Sequence, residues 1–208
     1  TTDIVVFIDL DRRVQAGQGA ASTVEAAISL AAGVAAHALR QDLPVGAVAH
    51  DERLSWLPPG RGPRHFQQVM RWLVDLGDGG DVPVAELLAT QQALLTPRSS
   101  VVVITPGLSA RLAAELTRLR RQGHSAALFL LRREAFLRAA PSPQASEPPV
   151  WPGAFGGGTS RRQLRALATE GIPVFMAGPE GVPEPLVPAA TPSSRSPGIT
   201  EPARWQPS

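Results

Sequence analysis

Ile4-Val5-Val6-Phe7-Ile8-Asp9-Leu10-Asp11-Arg12-Arg13 decides how this chain is read. The run Ile4–Leu10 is apolar almost throughout rather than alternating, as expected of a strand covered on both faces. Strands of that kind belong to parallel sheets held between helical layers. Three more runs follow in the same style, Val45–His50, Val101–Thr105 and Ala126–Leu131, and a fifth, Ile172–Met176, is less uniformly apolar. Helical patterns separate them. This alternation predicts a three-layer α/β domain with a doubly wound, mainly parallel sheet and right-handed crossovers. One short run, Arg53–Leu57, follows His50-Asp51-Glu52 and is expected to turn back on the second strand as the single antiparallel edge.

The helices carry their own punctuation. Ser22-Thr23-Val24-Glu25 has the form of a capping box, in which Ser22 accepts from the third amide and Glu25 reaches back. Val24, Ile28, Ala31, Ala35 and Leu39 then fall on one helical stripe, and so many alanines let the helix lie close to the sheet. Pro63 suits a first helical position ahead of Phe66, Val69, Met70 and Leu73, with Gly77 as the stop. Pro83 opens a helix carrying Val84, Leu87, Leu88 and Gln91. Ser109 caps one bearing Leu112, Leu116 and Leu119, which Gly123 closes. Ser160–Gln163 repeats the capping-box pattern before Leu164 and Leu167.

Two stretches resist this pattern. Residues 139–159 hold five prolines and four glycines, and residues 178–208 hold eight prolines. Neither offers enough apolar surface to offset its ordering entropy. One domain over residues 1–177 is expected, with a disordered insertion at 139–159 and a disordered tail at 178–208. The start at Thr1, without methionine and close to a core strand, points to further sequence upstream.

Composition removes several function classes. With no cysteine there is no disulfide, thiol nucleophile or thiolate metal site, which suits a reducing, cytoplasmic setting. All 20 basic side chains of the Lys+Arg count are arginine, yet the net charge is only +2. That gives little attraction to nucleic acid or an anionic membrane. The longest apolar run, Ala26–Ala38, is broken by Ser29, Gly33 and His37 and reads as a buried helix. No signal-peptide pattern precedes it.

Several strings now line up in one order: Asp9–Arg13, Glu25–Ala32, Pro44-Val45-Gly46, Leu57-Pro58-Pro59-Gly60-Arg61-Gly62, Ile104-Thr105-Pro106 and Arg120–Gly123. Together they resemble the bacterial domain-of-unknown-function family 58, a branch of the von Willebrand factor A-like fold. The likeness runs from about Asp3 to Leu131 and resumes at Arg161–Met176. It implies strand order 3-2-1-4-5-6, with Ile4–Asp9 central between Val45–Ala49 and Val101–Thr105. Metal-binding members of that fold hold a divalent cation on Asp-x-Ser-x-Ser after the first strand. A threonine from a second loop and a Thr-Asp-Gly turn complete the ligands. Here Asp11 and Arg13 stand in the two serine places, Thr105-Pro106-Gly107 lacks the carboxylate, and Gly79-Gly80-Asp81-Val82 lacks the threonine. The resemblance therefore implies a degenerate metal site, with no metal and no cofactor.

Ligands of open α/β sheets gather at the carboxyl ends of strands where the order reverses. Asp9, Asp11, Arg12, Arg13, Thr105 and Pro106 belong there, with Asp81 on the neighbouring loop. They are the candidate binding rim. The plainer account makes Asp9 a cap on a neighbouring helix and Arg12 and Arg13 solvated loop charges. Arg61, Arg64 and His65 form a small basic turn, either a solvated helix entrance or a contact for an acidic partner.

Rival chemistries leave weaker traces. Asp9-x-Asp11 after an apolar strand also opens haloacid dehalogenase-like phosphotransferases, with Asp9 as nucleophile, Asp11 handling the leaving-group proton and Thr105 binding phosphate. That reading lacks a lysine and a later aspartate pair. Gly17-Gln18-Gly19-Ala20-Ala21-Ser22 mimics a dinucleotide fingerprint but stands too far from its strand, leaving a loop, a helix cap and room for an anion. His37, His50, His65 and His124 share no ligand spacing and suit solvent-facing or core-edge roles. Gly107-Leu108-Ser109 lacks the closing glycine of a nucleophile elbow.

The resemblance implies a non-catalytic adaptor. Relatives often carry upstream membrane helices and accompany MoxR-type AAA+ ATPases. This chain is accordingly expected to be the cytoplasmic, partner-binding part of a membrane-anchored protein.

Overall fold

β1 (Ile4–Ile8) has Val5, Val6, Phe7 and Ile8 all buried, so both of its faces carry core side chains. A computed structural model describes residues 2–139, 161–179 and 183–186. In it β1 pairs in parallel with β2 (Val45–His50) on one side and β4 (Ser100–Thr105) on the other. β5 (Ser125–Leu131) and β6 (Val174–Ala177) continue the parallel sheet. β3 (Leu54–Gly60) folds back antiparallel on β2. The order is β3-β2-β1-β4-β5-β6, as expected, and a short β7 (Glu184–Pro185) adds a second antiparallel edge beyond β6. β7 lies within the stretch read as tail. Proline is tolerated on such an edge strand, and so a proline-rich sequence concealed it.

Among the described residues six α-helices cover the two faces. α1 (Thr23–Arg40), α2 (Gly62–Val74) and α5 (Arg133–Ala139) lie over Val6, Ile8, Ala47 and Ala49. α3 (Val84–Thr90), α4 (Ala110–Arg121) and α6 (Arg161–Thr169) lie over Val5, Phe7, Val103 and Leu128. Alternate β1 side chains thus seed two separate cores.

Several local expectations shift. The deep face of α1 is Ala27, Ala31, Ala35 and Ala38, while Val24, Ile28 and Leu39 pack only partly buried beside it. The smallest side chains face the sheet because they permit the closest approach. Ser22 Oγ accepts from the Glu25 amide at 3.2 Å, but the Ser22 amide donates to Gly19 O rather than to the Glu25 side chain. The capping box is half made. α2 ends at Val74, three residues before Gly77. Ser109 caps α4 through the Leu112 amide, and Gly123 closes it with φ +96°. α5, unforeseen, buries Phe136. Of the insertion expected at 139–159, Ala139 ends α5, while residues 140–159 and Ser160 lie outside the described residues, as does most of the tail. Among the described residues no helix is long and apolar enough to cross a membrane.

Candidate functional site

The loop leaving β1 is folded by its own aspartates. Asp9 Oδ1 accepts the Asp11 amide at 3.0 Å, and Asp11 Oδ1 accepts the Arg13 amide at 3.1 Å. Such side-chain-to-backbone bonds two residues on are the usual work of aspartate in turns. Two successive turns hold Asp9–Arg13 against the sheet end.

Asp9 is only 4% exposed. Its Oδ2 accepts from Thr105 Oγ1 at 2.6 Å, across the β1–β4 seam. Burial pushes the Asp9 carboxyl from 3.8 up to about 7, against the lowering effect of the bonds from Thr105 and the Asp11 amide. Asp9 is therefore no helix cap. It joins two strands and titrates near neutrality.

Asp11 is buried and faces a fork. Arg13 Nε meets Oδ1 at 2.8 Å and Arg13 Nη2 meets Oδ2 at 2.8 Å, a bidentate pair. The same Nη2 donates to the Asp81 carbonyl at 2.8 Å. Arg13 is thus a strut between two loops, not a solvated loop charge. The Arg12 amide donates to Gly80 O at 2.9 Å, and Asp11 makes a β-bridge with Gly80. A Cβ on Gly80 would collide with the carbonyls of Leu10 and His50, so only glycine lets this loop press on the sheet end. Arg12 and Asp81 stay exposed, while Pro106 is buried beside Thr105. All seven rim residues come together.

Arg61 and Arg64 do not join them. Gly60 pairs with Val45 and Ile4 also pairs with Val45, so Arg61 stands at the amino end of the sheet, opposite the rim. Arg61 holds Asp42 at 3.0 Å, and Arg64 is exposed. His65 departs from the basic turn altogether. It is 7% exposed, and its Nε2 donates to the Val45 carbonyl at 2.6 Å. The glycines ahead of α1 form a 3-10 turn, Gly19–Ala21, beside a cleft of about 530 Å3 that Arg12, Gln15 and Asp78 help to line.

Two site residues escaped the sequence reading. Gln15 Nε2 donates to the Asp9 carbonyl at 2.8 Å, and Thr23 Oγ1 lies 2.6 Å from Gln15 Oε1. They tie the rim to the start of α1. Gln15 gives no signal in sequence. Thr23, fully buried at a helix start, is visible only once the helix is placed.

A mainly parallel, doubly wound sheet in the order β3-β2-β1-β4-β5-β6, with helices on both faces and an antiparallel β3 edge, has the fold of a von Willebrand factor A-like domain. The chain belongs to the family described as "Protein of unknown function DUF58", whose model matches residues 1–134. An aerotolerance-related membrane protein from Bacteroides fragilis NCTC 9343 is similar at 15% identity, over 82% of this chain and 88% of that one, with a TM-score of 0.57. The conserved hypothetical protein BatB from Bacteroides thetaiotaomicron is similar at 14% identity, over 63% and 67%, with a TM-score of 0.49. The SpRpn10 VWA domain aligns at 12% identity over 68% and 82%, with a TM-score of 0.46. No curated protein matches the chain.

Proposed function

We propose that this chain is a non-catalytic protein-interaction domain whose partner docks on the rim of Asp9, Asp11, Arg12, Arg13, Asp81, Thr105 and Pro106, with no divalent cation in the contact. The Asp11–Arg13 fork carries this reading. Both Asp11 oxygens meet a guanidinium, so the carboxylate standing in the first serine place is already neutralised. Asp81 offers its carbonyl to the same arginine, and Pro106 has no side-chain ligand atom. This donor set does not fit a hard divalent ion. Among the described residues no three His, Asp or Glu side chains converge as ligands.

The geometry disfavours a phosphotransferase as well. An aspartyl nucleophile must be open to phosphorus, whereas Asp9 is covered by Thr105 and the Asp11 amide. Resemblance supplies the partner class, a MoxR-type AAA+ ATPase. The chain would sit on the cytoplasmic face of a membrane, held by segments outside this sequence. Arg61 and Arg64, at the other sheet end, would form a separate partner contact.

Two measurements test this. Capture of the ATPase should drop with Arg12→Glu combined with Asp81→Lys, both exposed positions, and unchanged capture removes the rim. Thermal melts should ignore millimolar magnesium, manganese or calcium. A ligand at 100 times its Kd would add about 2.7 kcal/mol, a shift of several degrees. An upward shift abolished by Asp9→Ala overturns the cation-free contact, and aryl phosphate turnover lost in that variant would establish the phosphotransferase instead.

A further inference from the structure

α4 and α6 lie side by side over the same core, and between them runs a groove of about 720 Å3. Its floor is small: Ala113, Ala114 and Thr117 from α4, and Ala166 from α6. Arg118, Arg121 and Arg162 stand along its edges. α4 holds four arginines against Glu115, and α6 holds three with Glu170 just beyond it. With Glu86 of α3 also paired to Arg111, seven arginines face three carboxylates, a surplus of four positive charges in a chain whose whole net charge is +2. The remainder is net acidic, so the charge is sorted by face rather than spread.

We propose that this groove is a second docking site, built to take an acidic helical segment of a partner protein. A floor of alanines admits a helix backbone closely, since interaxial distance follows side-chain size at the contact. Arginines on both sides suit glutamates or aspartates along the edges of that helix, paired through their fork geometry.

Other occupants fit less well. α4 and α6 contain no aromatic side chain on which a nucleobase could stack. Among the described residues the exposed large apolar side chains are Leu54, Val74, Leu137 and Leu186, none of them here to enter a bilayer. Glu115 pairs with Arg118, and Glu170 with Arg121 at 2.5 Å. Discrete acidic side chains can exchange with these carboxylates one by one, whereas a continuous phosphate surface would press against them. Nor does this chain supply the acids itself. Residues 140–160 hold only Glu147, and residues 187–208 hold Glu201 against Arg195 and Arg204. The site does not depend on the rim, because Arg12 and Asp81 take no part in it.

The test uses the full chain and a fluorescent helical peptide of about 20 residues, with alanine on one face and glutamate along both of its edges. A control peptide carries glutamine at every glutamate. Anisotropy should show the acidic peptide binding and the glutamine control at least about tenfold weaker. Arg118→Glu with Arg121→Glu should weaken binding by a similar factor. Ala114→Trp, at an exposed position, fills the groove without changing charge and should weaken it equally, with circular dichroism confirming that each variant folds. Native affinity in Ala114→Trp would mean diffuse attraction and would overturn the proposal. Tighter binding of phosphatidylserine vesicles or single-stranded DNA to the same arginines would overturn it too. Stronger peptide binding after deletion of residues 187–208 would make the tail the occupant, and self-association abolished by the arginine reversals would make it a second copy. Loss of peptide binding with ATPase capture intact would leave the rim reading untouched.

Discussion

Thr105 Oγ1 lies 2.6 Å from Asp9 Oδ2, bridging the two adjacent parallel strands where the sheet changes winding direction. The same hydroxyl is 3.0 Å from Gly107 O and accepts the Gly107 amide at 3.1 Å. A hydroxyl has one proton to give. When Asp9 is ionised, Thr105 gives that proton to the carboxylate. When Asp9 is protonated, the acid donates to Thr105, which turns its proton to Gly107 O. Ionisation of Asp9 thus takes the hydroxyl proton away from Gly107 O and protonation returns it, so this corner exchanges a proton by reorienting one hydroxyl.

The first prediction follows from that pair. With a folded pKa of about 7 against 3.8 unfolded, the native state keeps a proton on Asp9 that the unfolded chain has lost. Stability from this group is full below about pH 4, declines through pH 4–7 and is gone above pH 7. The span is on the order of 4 kcal/mol at 1.36 kcal/mol per pKa unit. Asp9→Asn mimics the protonated acid and donates to Thr105 at any pH. Urea midpoints from pH 4 to pH 8 should therefore gain on the native chain as pH rises. Parallel curves for the two proteins would show that Asp9 ionises normally.

Arg13 gives the second. Its side chain is 46% exposed, but the Asp11 carboxylate that it neutralises is only 4% exposed. Arg13→Ala leaves a buried charge without its fork and should cost roughly 1–3 kcal/mol. Arg13→Lys keeps the charge but loses the bidentate geometry and the bond to the Asp81 carbonyl, so it should recover only part. Asp11→Ala combined with Arg13→Ala should cost less than the two singles added, because the stranded charge has gone with its partner. Urea denaturation of the four proteins measures the coupling, and strict additivity would mean that the pair contributes nothing.

How much of this was legible depends on where each signal resides. β1, β2, β4 and β5 announce themselves, because strands buried on both faces need apolar side chains at successive positions. Asp9, Asp11 and Arg13 read together as neighbours on one loop. Their link to Thr105, 96 residues away, becomes visible only through the topology, which the resemblance supplied. The fork itself was invisible, since a sequence does not say whether an arginine beside an aspartate folds back on it or points to water. His65 was left between a solvent-facing and a core-edge role for the same reason, as a ring in an arginine-rich turn looks solvated until the Val45 carbonyl is placed above it. On α1 the bulky residues drew attention from the alanines that face the sheet.

The half-made capping box yields a third prediction. Ser22→Ala removes the acceptor for the Glu25 amide and should destabilise the chain by about 1 kcal/mol. The Ser22 amide already has Gly19 O as its acceptor. Glu25→Gln should therefore lose only the charge's attraction to the helix terminus, roughly 0.3–1 kcal/mol and diminishing with salt. Equal, salt-independent losses for both would show that Glu25 reaches back after all.

The last prediction concerns the amino end of the sheet, where Gly60 and His65 are fitted to each other. A Cβ on Gly60 would run into the His65 ring, whose Nε2 is held by the Val45 carbonyl and whose Nδ1 lies 3.2 Å from the Gln68 side chain. Gly60→Ala cannot be relieved by swinging the ring away, because that would leave a buried carbonyl without a donor. It should cost roughly 1–3 kcal/mol, as overpacking does. His65→Ala should cost a comparable amount for the opposite reason, a lost donor and a cavity. Once the ring is gone the extra methyl has room, so Gly60→Ala in the His65→Ala background should be nearly neutral, and a double-mutant cycle on urea midpoints should show a coupling of at least about 1 kcal/mol. If Gly60→Ala costs the same with and without the histidine, the glycine is required for some reason other than this ring.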